Sequence, residues 1–248
     1  MTQHTIVSRA EWLEARRALL VEEKAWTRAR DRLAQMRRAL PWVRVEKDYR
    51  FDTVDGPLSL AELFDGRSQL VTHHFMFAPD WDEGCPGCSL LADQVDGARQ
   101  HFEHNDLTYV AVSRAPLAKL EAYRRRMGWQ FRWVSSAGSD FNFDFHVSFP
   151  HDARERFYNF ETRTDITMDD LPGLSVFHQD ETGAIFHTYS SYGRAGEMFL
   201  PVYSWLDIAP RGRNETKHGN LMDWVKRHDR YETDGRTRPT ATRKGNPR

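Results

Sequence analysis

The chain's only two cysteines, Cys85 and Cys88, lie three apart in the run Cys85-Pro86-Gly87-Cys88. Two thiols at that spacing can cycle between dithiol and disulfide, or they can ligate a soft metal ion. Their setting decides which chemistry is available. Upstream, Leu70 to Phe77 is an apolar run suited to a central strand, and from Cys88 to Phe102 the residues Leu90, Leu91, Val95 and Ala98 recur at helical spacing. A thiol between a strand and a helix faces unpaired backbone N–H groups and the positive end of the helix dipole, which stabilises its thiolate. Cys85 is therefore the expected nucleophile. Cys88, one turn on along the same face, is placed to resolve a mixed disulfide. Pro86 suits the first turn, where its missing N–H is no loss. The acids Asp80, Asp82 and Glu83 just upstream act in the opposite sense, since negative charge raises a thiol pKa.

Histidine supplies the second chemistry. His73 and His74 are adjacent on the strand feeding the cysteine loop, so their side chains point to opposite faces and at most one reaches the thiols. With His74 and His187 added, Cys85 and Cys88 form a donor set of the type that holds Cu(I), Cu(II) or Zn(II). For His74 three roles stand open: metal ligand, general base, or hydrogen-bonded core histidine. Arg114, in Ser113-Arg114-Ala115-Pro116 at the end of a strand, either receives an anionic group of a substrate or answers the acidic loop.

These residues need elements to position them. Ser8 and Glu11 have capping-box spacing, and Trp12, Ala15, Leu19, Trp26, Ala29, Leu33, Met36 and Leu40 recur at alternating threes and fours, interrupted only at Glu22. This predicts a helix from Arg9 to about Leu40, stopped by Pro41. Its apolar stripe either packs on its own domain or forms a homodimer seam. Beyond Trp42, strands at Tyr49–Thr53, Leu70–Phe77, Leu107–Val112 and Phe131–Ser135 alternate with helices at Ser59 onward, Cys88–Phe102 and Leu117–Met127, an α/β pattern. The run Ser139 to His146 places Phe141, Phe143 and Phe145 in alternation and reads as a half-buried strand or extended loop. Leu174–His178 and Ala184–Tyr189 form a hairpin, and Leu221–His228 a last helix. The stretch 233–248 is poor in apolar residues and is expected to be disordered.

The run from Tyr49 through Ser113 resembles the N-terminal half of the peroxiredoxins. More closely, the chain resembles the bacterial thioredoxin-like family known as domain of unknown function 899. That resemblance is carried by His74-Phe75-Met76-Phe77, Pro79-Asp80-Trp81, Gly84-Cys85-Pro86-Gly87-Cys88-Ser89, Val112-Ser113-Arg114-Ala115-Pro116-Leu117, Met127-Gly128-Trp129, Asp140-Phe141-Asn142, Pro172-Gly173-Leu174-Ser175-Val176-Phe177 and His187-Thr188-Tyr189-Ser190. It implies a thioredoxin-like α/β fold, a central mixed sheet flanked by helices, with an N-terminal helical arm and a C-terminal extension. It also implies that Pro172 matches the proline, usually cis, that faces the cysteines in such folds, so that Pro172, Gly173, Trp81 and Arg114 would border the substrate. Peroxiredoxins carry a Pro-x-x-x-Thr-x-x-Cys loop and thioredoxins a Trp just before the first cysteine. Here Pro79 stands six before Cys85 and Gly84 takes the Trp position, which argues against either activity. Copper chaperones of the thioredoxin fold are similar in part, pairing such a loop with a distal histidine.

The expected organisation is an arm over 1–41, a thioredoxin-like domain over 42–211, an extension over 212–232 and a tail over 233–248. The expected function is thiol–disulfide oxidoreductase or thiol-dependent reductase acting on a thiol or disulfide substrate, with no cofactor. The alternative is a copper- or zinc-binding protein, either a metal carrier or a copper-dependent oxidase. With 35 basic against 36 acidic residues and a net charge of -1, no bias toward nucleic acid or anionic membrane is present. No apolar run has spanning length, and the first residues lack a secretory pattern, so the expected location is cytoplasmic. Phosphate-binding glycine loops, dinucleotide fingerprints and hydrolase elbows are not present in the sequence.

Overall fold

The computed structural model describes residues 4–213, 215 and 222–231. The chain divides into two compact units, Met1–Val43 and Arg44–Arg248. In the first, helix α1 (Arg9–Arg38) opens on the capping box read from the sequence: Ser8 accepts from the Glu11 N–H, and the Glu11 carboxylate accepts from Ser8. None of its residues is buried.

The remaining elements in chain order are β1 (Val43–Arg44), β2 (Arg50–Phe51), β3 (Leu58–Ser59), a 3₁₀ turn (Glu62–Phe64), β4 (Gln69–His74), α2 (Pro86–Ala92), α3 (Asp96–His104), β5 (Leu107–Ser113), α4 (Leu117–Met127), β6 (Arg132–Ser135), α5 (Phe141–Asp144), β7 (Arg156–Tyr158), β8 (Glu161–Arg163), β9 (Gly173–Gln179), β10 (Ile185–Tyr192) and α6 (Pro201–Asp207). The main sheet has the order β1-β10-β9-β4-β5-β6. Strands β4, β5 and β6 run parallel, and β9 pairs antiparallel with both β4 and β10. A βαβ crossover beside an antiparallel hairpin, with the cysteines following the strand between them, is the thioredoxin-like arrangement.

The buried residues sort onto two faces by the two-residue period of the strands. On one, Tyr109 and Ala111 of β5 join Cys88, Leu120, Tyr123, Met127, Trp129 and Trp133. On the other, Leu70 of β4 and Val110 and Val112 of β5 join Phe51, Phe64, Phe141, Phe145 and Phe177.

Three elements differ from the sequence reading. The segment expected as one helix from Cys88 to Phe102 is two, α2 and α3, joined through tight turns in which the Gln94 and Val95 N–H groups bond back three residues to Leu91 and Ala92. The Ser139–His146 run is not extended but forms the short helix α5. Phe141 and Phe145 are four apart, a spacing that satisfies a helical face as well as a strand face. Here they pack with ring centroids 4.7 Å apart, while Phe143 takes the Arg114 guanidinium at 5.2 Å. Finally, residues 222–227 are not helical, and only a 3₁₀ turn over His228–Arg230 is formed. The remainder of the predicted last helix, and the tail 233–248, lie outside the described residues. No helix among those described is long and apolar enough to cross a membrane.

Candidate active site

Strand β4 delivers the cysteine loop. Past His74 the backbone still pairs, Phe75 N–H donating to Val112 O at 2.9 Å, and the Cys85 N–H then closes the loop onto Met76 O at 3.0 Å. That closure leaves no room at Gly84, where an added Cβ would sit 2.6 Å from the Phe75 ring. Cys85 is the N-cap of α2 and Pro86 its first helical residue.

Cys85 is half-buried and Cys88 is buried. The neighbouring Cys88 thiol, a donor toward the Cys85 sulfur, is the largest influence pulling Cys85 down to about 7, supported by the N–H groups of Cys88 and Gly87 and the Arg227 cation, and opposed by burial. Cys88 is pushed the other way, because a proton shared with its neighbour is held more tightly and burial disfavours its anion. One N–H, that of Met76, bonds the Cys88 sulfur at 3.4 Å.

Of the acids upstream of Cys85, Glu83 is paired. Glu83 accepts from Arg126, from Arg230 at 3.0 Å and from Arg227 at 2.9 Å. Arg227 also donates to Gly84 O at 2.6 Å and to the Tyr123 hydroxyl at 2.9 Å, and that hydroxyl is within 3.0 Å of Ser89 Oγ. Arg227 and Arg230 thus pack against the cysteine loop within the same compact unit, Arg44–Arg248. Sequence reading assigned Arg227 no role. A basic run is its only local signal, and its partners lie more than 100 positions upstream.

Both cysteines line a cavity of about 380 Å³, together with His73, Pro172 and Gly173. Gly173 is required there, since a Cβ would meet the Tyr192 ring and Val147 at 2.9 Å. Pro172 lines the same cavity as the cysteines, through a trans peptide where the proline of such folds is usually cis. Its carbonyl accepts from the Tyr158 hydroxyl at 2.7 Å.

The other sequence candidates are placed differently. Trp81 packs beside the cysteine-side core but is outside the residues that line the cavity. Arg114 does not answer the acidic loop. It makes a two-point ion pair with Asp170, Nε–Oδ1 at 2.8 Å and Nη2–Oδ2 at 3.1 Å, and Asp170 is completed by Ser148 Oγ at 2.5 Å. Of the two histidines on β4, His73 faces the cysteines and His74 faces away, so His74 takes the role of hydrogen-bonded core histidine and not that of the metal ligand in the alternative reading. His74 stacks on Phe145 and joins a hydrogen-bonded chain through Ser175 Oγ (2.9 Å) and Ser190 Oγ (2.9 Å) to His187 Nε2 (2.8 Å). Burial holds both His73 and His74 near 3, as neutral imidazoles. The four-ligand metal set is thereby divided between the two faces of the sheet. Among the described residues no cluster of three or more His, Cys, Asp or Glu side chains is placed to hold a metal ion.

A family model described as "Bacterial protein of unknown function (DUF899)" matches residues 1–231. The chain belongs to that family. A search of curated proteins finds no match. Among solved structures it is similar to peroxidoxin BcpB from Mycobacterium tuberculosis, at 15% identity and a TM-score of 0.45, over 65% of this chain and 94% of that one. It is similar also to peroxiredoxin Q of Xanthomonas campestris, at 13% identity and a TM-score of 0.43, over 62% and 89%. At that level of overlap these likenesses carry no argument about activity.

Proposed function

We propose that the protein is a thiol–disulfide oxidoreductase, with Cys85 attacking and Cys88 resolving. The observation that carries this reading is the placement of the two thiols on one cavity wall. Cys85 is half-buried at the cavity, and Cys88 is buried three residues on along the same short helix. The outer thiolate attacks a disulfide and expels one thiolate. The inner thiol is held protonated until the mixed disulfide forms, then gives up its proton and displaces the second thiolate to close Cys85–Cys88. A reducing compartment such as the cytoplasm would return the pair to the dithiol through an external thiol reductant.

The test is equilibration of the full chain in glutathione redox buffers, followed by acid trapping and mass analysis. Loss of two hydrogens, as two protons and two electrons taken up by glutathione disulfide, with a midpoint inside the buffered range is expected for the unaltered protein. Cys88→Ser should accumulate a mixed disulfide on Cys85, and Cys85→Ser should form none. If no Cys85–Cys88 disulfide forms and both variants behave alike, the reading fails.

A further inference from the structure

The cavity beside the cysteines specifies more than a redox pair requires. Its volume of about 380 Å³ lies within the ~300–1,000 Å³ range of small-molecule sites. Leu91, Leu174, Leu200 and Met222 give it carbon walls. Two charged residues reach it, Arg194 and Glu197, and they are spent on each other at 2.8 Å, with Arg213 holding Glu197 at 3.1 Å. An ionised ligand would have to break that set to find a partner.

One polar side chain of the lining is His73. Its Nδ1 lies 2.7 Å from the hydroxyl of Tyr109, which is itself buried. With that hydroxyl donating to Nδ1, the neutral ring carries its own proton on Nε2. Ser191 borders the cavity too, but its unpartnered Oγ is enclosed behind the cavity surface. The site therefore presents a thiol pair and an imidazole in a cavity whose other walls are mostly apolar and whose charged pair is satisfied within itself.

We infer that the substrate is a low-molecular-weight, uncharged, predominantly apolar disulfide. The inference rests on the thiol–disulfide reading above and narrows it. The Cys85 thiolate attacks one sulfur of R–S–S–R, forming Cys85–S–S–R and releasing R–S⁻, which solvent protonates. Cys88 then attacks the Cys85 sulfur, forming the internal disulfide, and its proton leaves with the second R–SH. In sum one disulfide and one protein dithiol become two thiols and one protein disulfide, and an external dithiol restores the protein. A hydroperoxide fits less well, because its leaving oxygen needs a strong donor. Arg227, the cation that influences Cys85, is committed to Glu83, Gly84 O and Tyr123.

The experiment is single-turnover oxidation of the fully reduced chain by di-n-butyl disulfide and by glutathione disulfide. Released thiol and closure of Cys85–Cys88 are followed, and each rate is divided by that of free dithiothreitol with the same disulfide. The normalised rate should be at least tenfold greater for the butyl compound. Equal normalised rates, a preference for glutathione disulfide, or faster closure with cumene hydroperoxide would overturn the substrate class and leave the oxidoreductase reading standing. Failure of every oxidant to close the disulfide would remove both.

Discussion

Arg227 sits where a single substitution separates the electrostatics of the cysteine loop from its packing. Its guanidinium bonds the carbonyl of Gly84, the residue before Cys85, at 2.6 Å, and its side chain is 19% exposed. At an effective dielectric near 20, a unit charge within several ångströms of a thiolate is worth on the order of 2 kcal/mol. Pairing with Glu83 and partial solvent access reduce this to about 1 kcal/mol, or ~0.7 of a pH unit. Arg227→Gln removes the charge but keeps an amide able to reach Gly84 O, and Glu83 retains Arg126 and Arg230. With Cys85 near 7 in the unaltered chain, about half of it is thiolate at neutral pH. The substitution should raise the midpoint by ~0.7 and cut the thiolate fraction at pH 7 about threefold. The assay is the pH dependence of iodoacetamide alkylation at Cys85, read by peptide mass, with a denaturant midpoint as the control for folding. A midpoint that stays within ~0.2 of the original, or falls, in a variant of unchanged stability would refute the account of how this loop activates its thiol.

Because Cys85 has a lower pKa folded than unfolded, it contributes stability that is present above the unfolded value, near 8.5, and is lost as pH falls through about 7. Stability of the reduced protein should therefore rise with pH between those values, and Cys85→Ser should flatten the rise in urea unfolding. Gly173→Ala places a Cβ 2.9 Å from Tyr192 and Val147 and should cost about 2 kcal/mol in the same assay. A loss under ~0.5 kcal/mol would mean the strand yields there. Arg114→Met strands the 5%-exposed Asp170 carboxylate and should cost about 3 kcal/mol, while the normalised rate with an uncharged disulfide stays unchanged. A fall in rate without loss of stability would return Arg114 to the substrate. His74→Phe should leave copper or zinc uptake by the reduced chain unchanged in competition with a chelator. A tenfold weakening would place that imidazole at the metal after all.

What the sequence determined by itself is the part of this protein that local physics controls. Capping boxes at Ser8 and Ser59, the stop of α4 at Gly128 with its φ of 72°, the β9–β10 hairpin and the cysteines between a strand and a helix all follow from spacings of two to seven residues. The strand period also required His73 and His74 to part to opposite faces. Which of them meets the thiols depends on which face of β4 receives α2, and that is a property of the assembled sheet. The same limit governs Phe141 and Phe145, whose spacing of four suits either period until Tyr49, Phe51 and Phe177 supply the surface they fill. Arg114 finds Asp170 across 56 residues, and Arg227 finds Gly84 across 143. Charge pairings at such separations leave no periodic trace, because a salt bridge needs only complementary side chains brought within about 4 Å by the fold. The unpartnered hydroxyl of Ser191 is of the same kind. Its residue type was visible in the chain, but its burial beside an apolar cavity exists only once β9, β10 and the cysteine loop have closed around it.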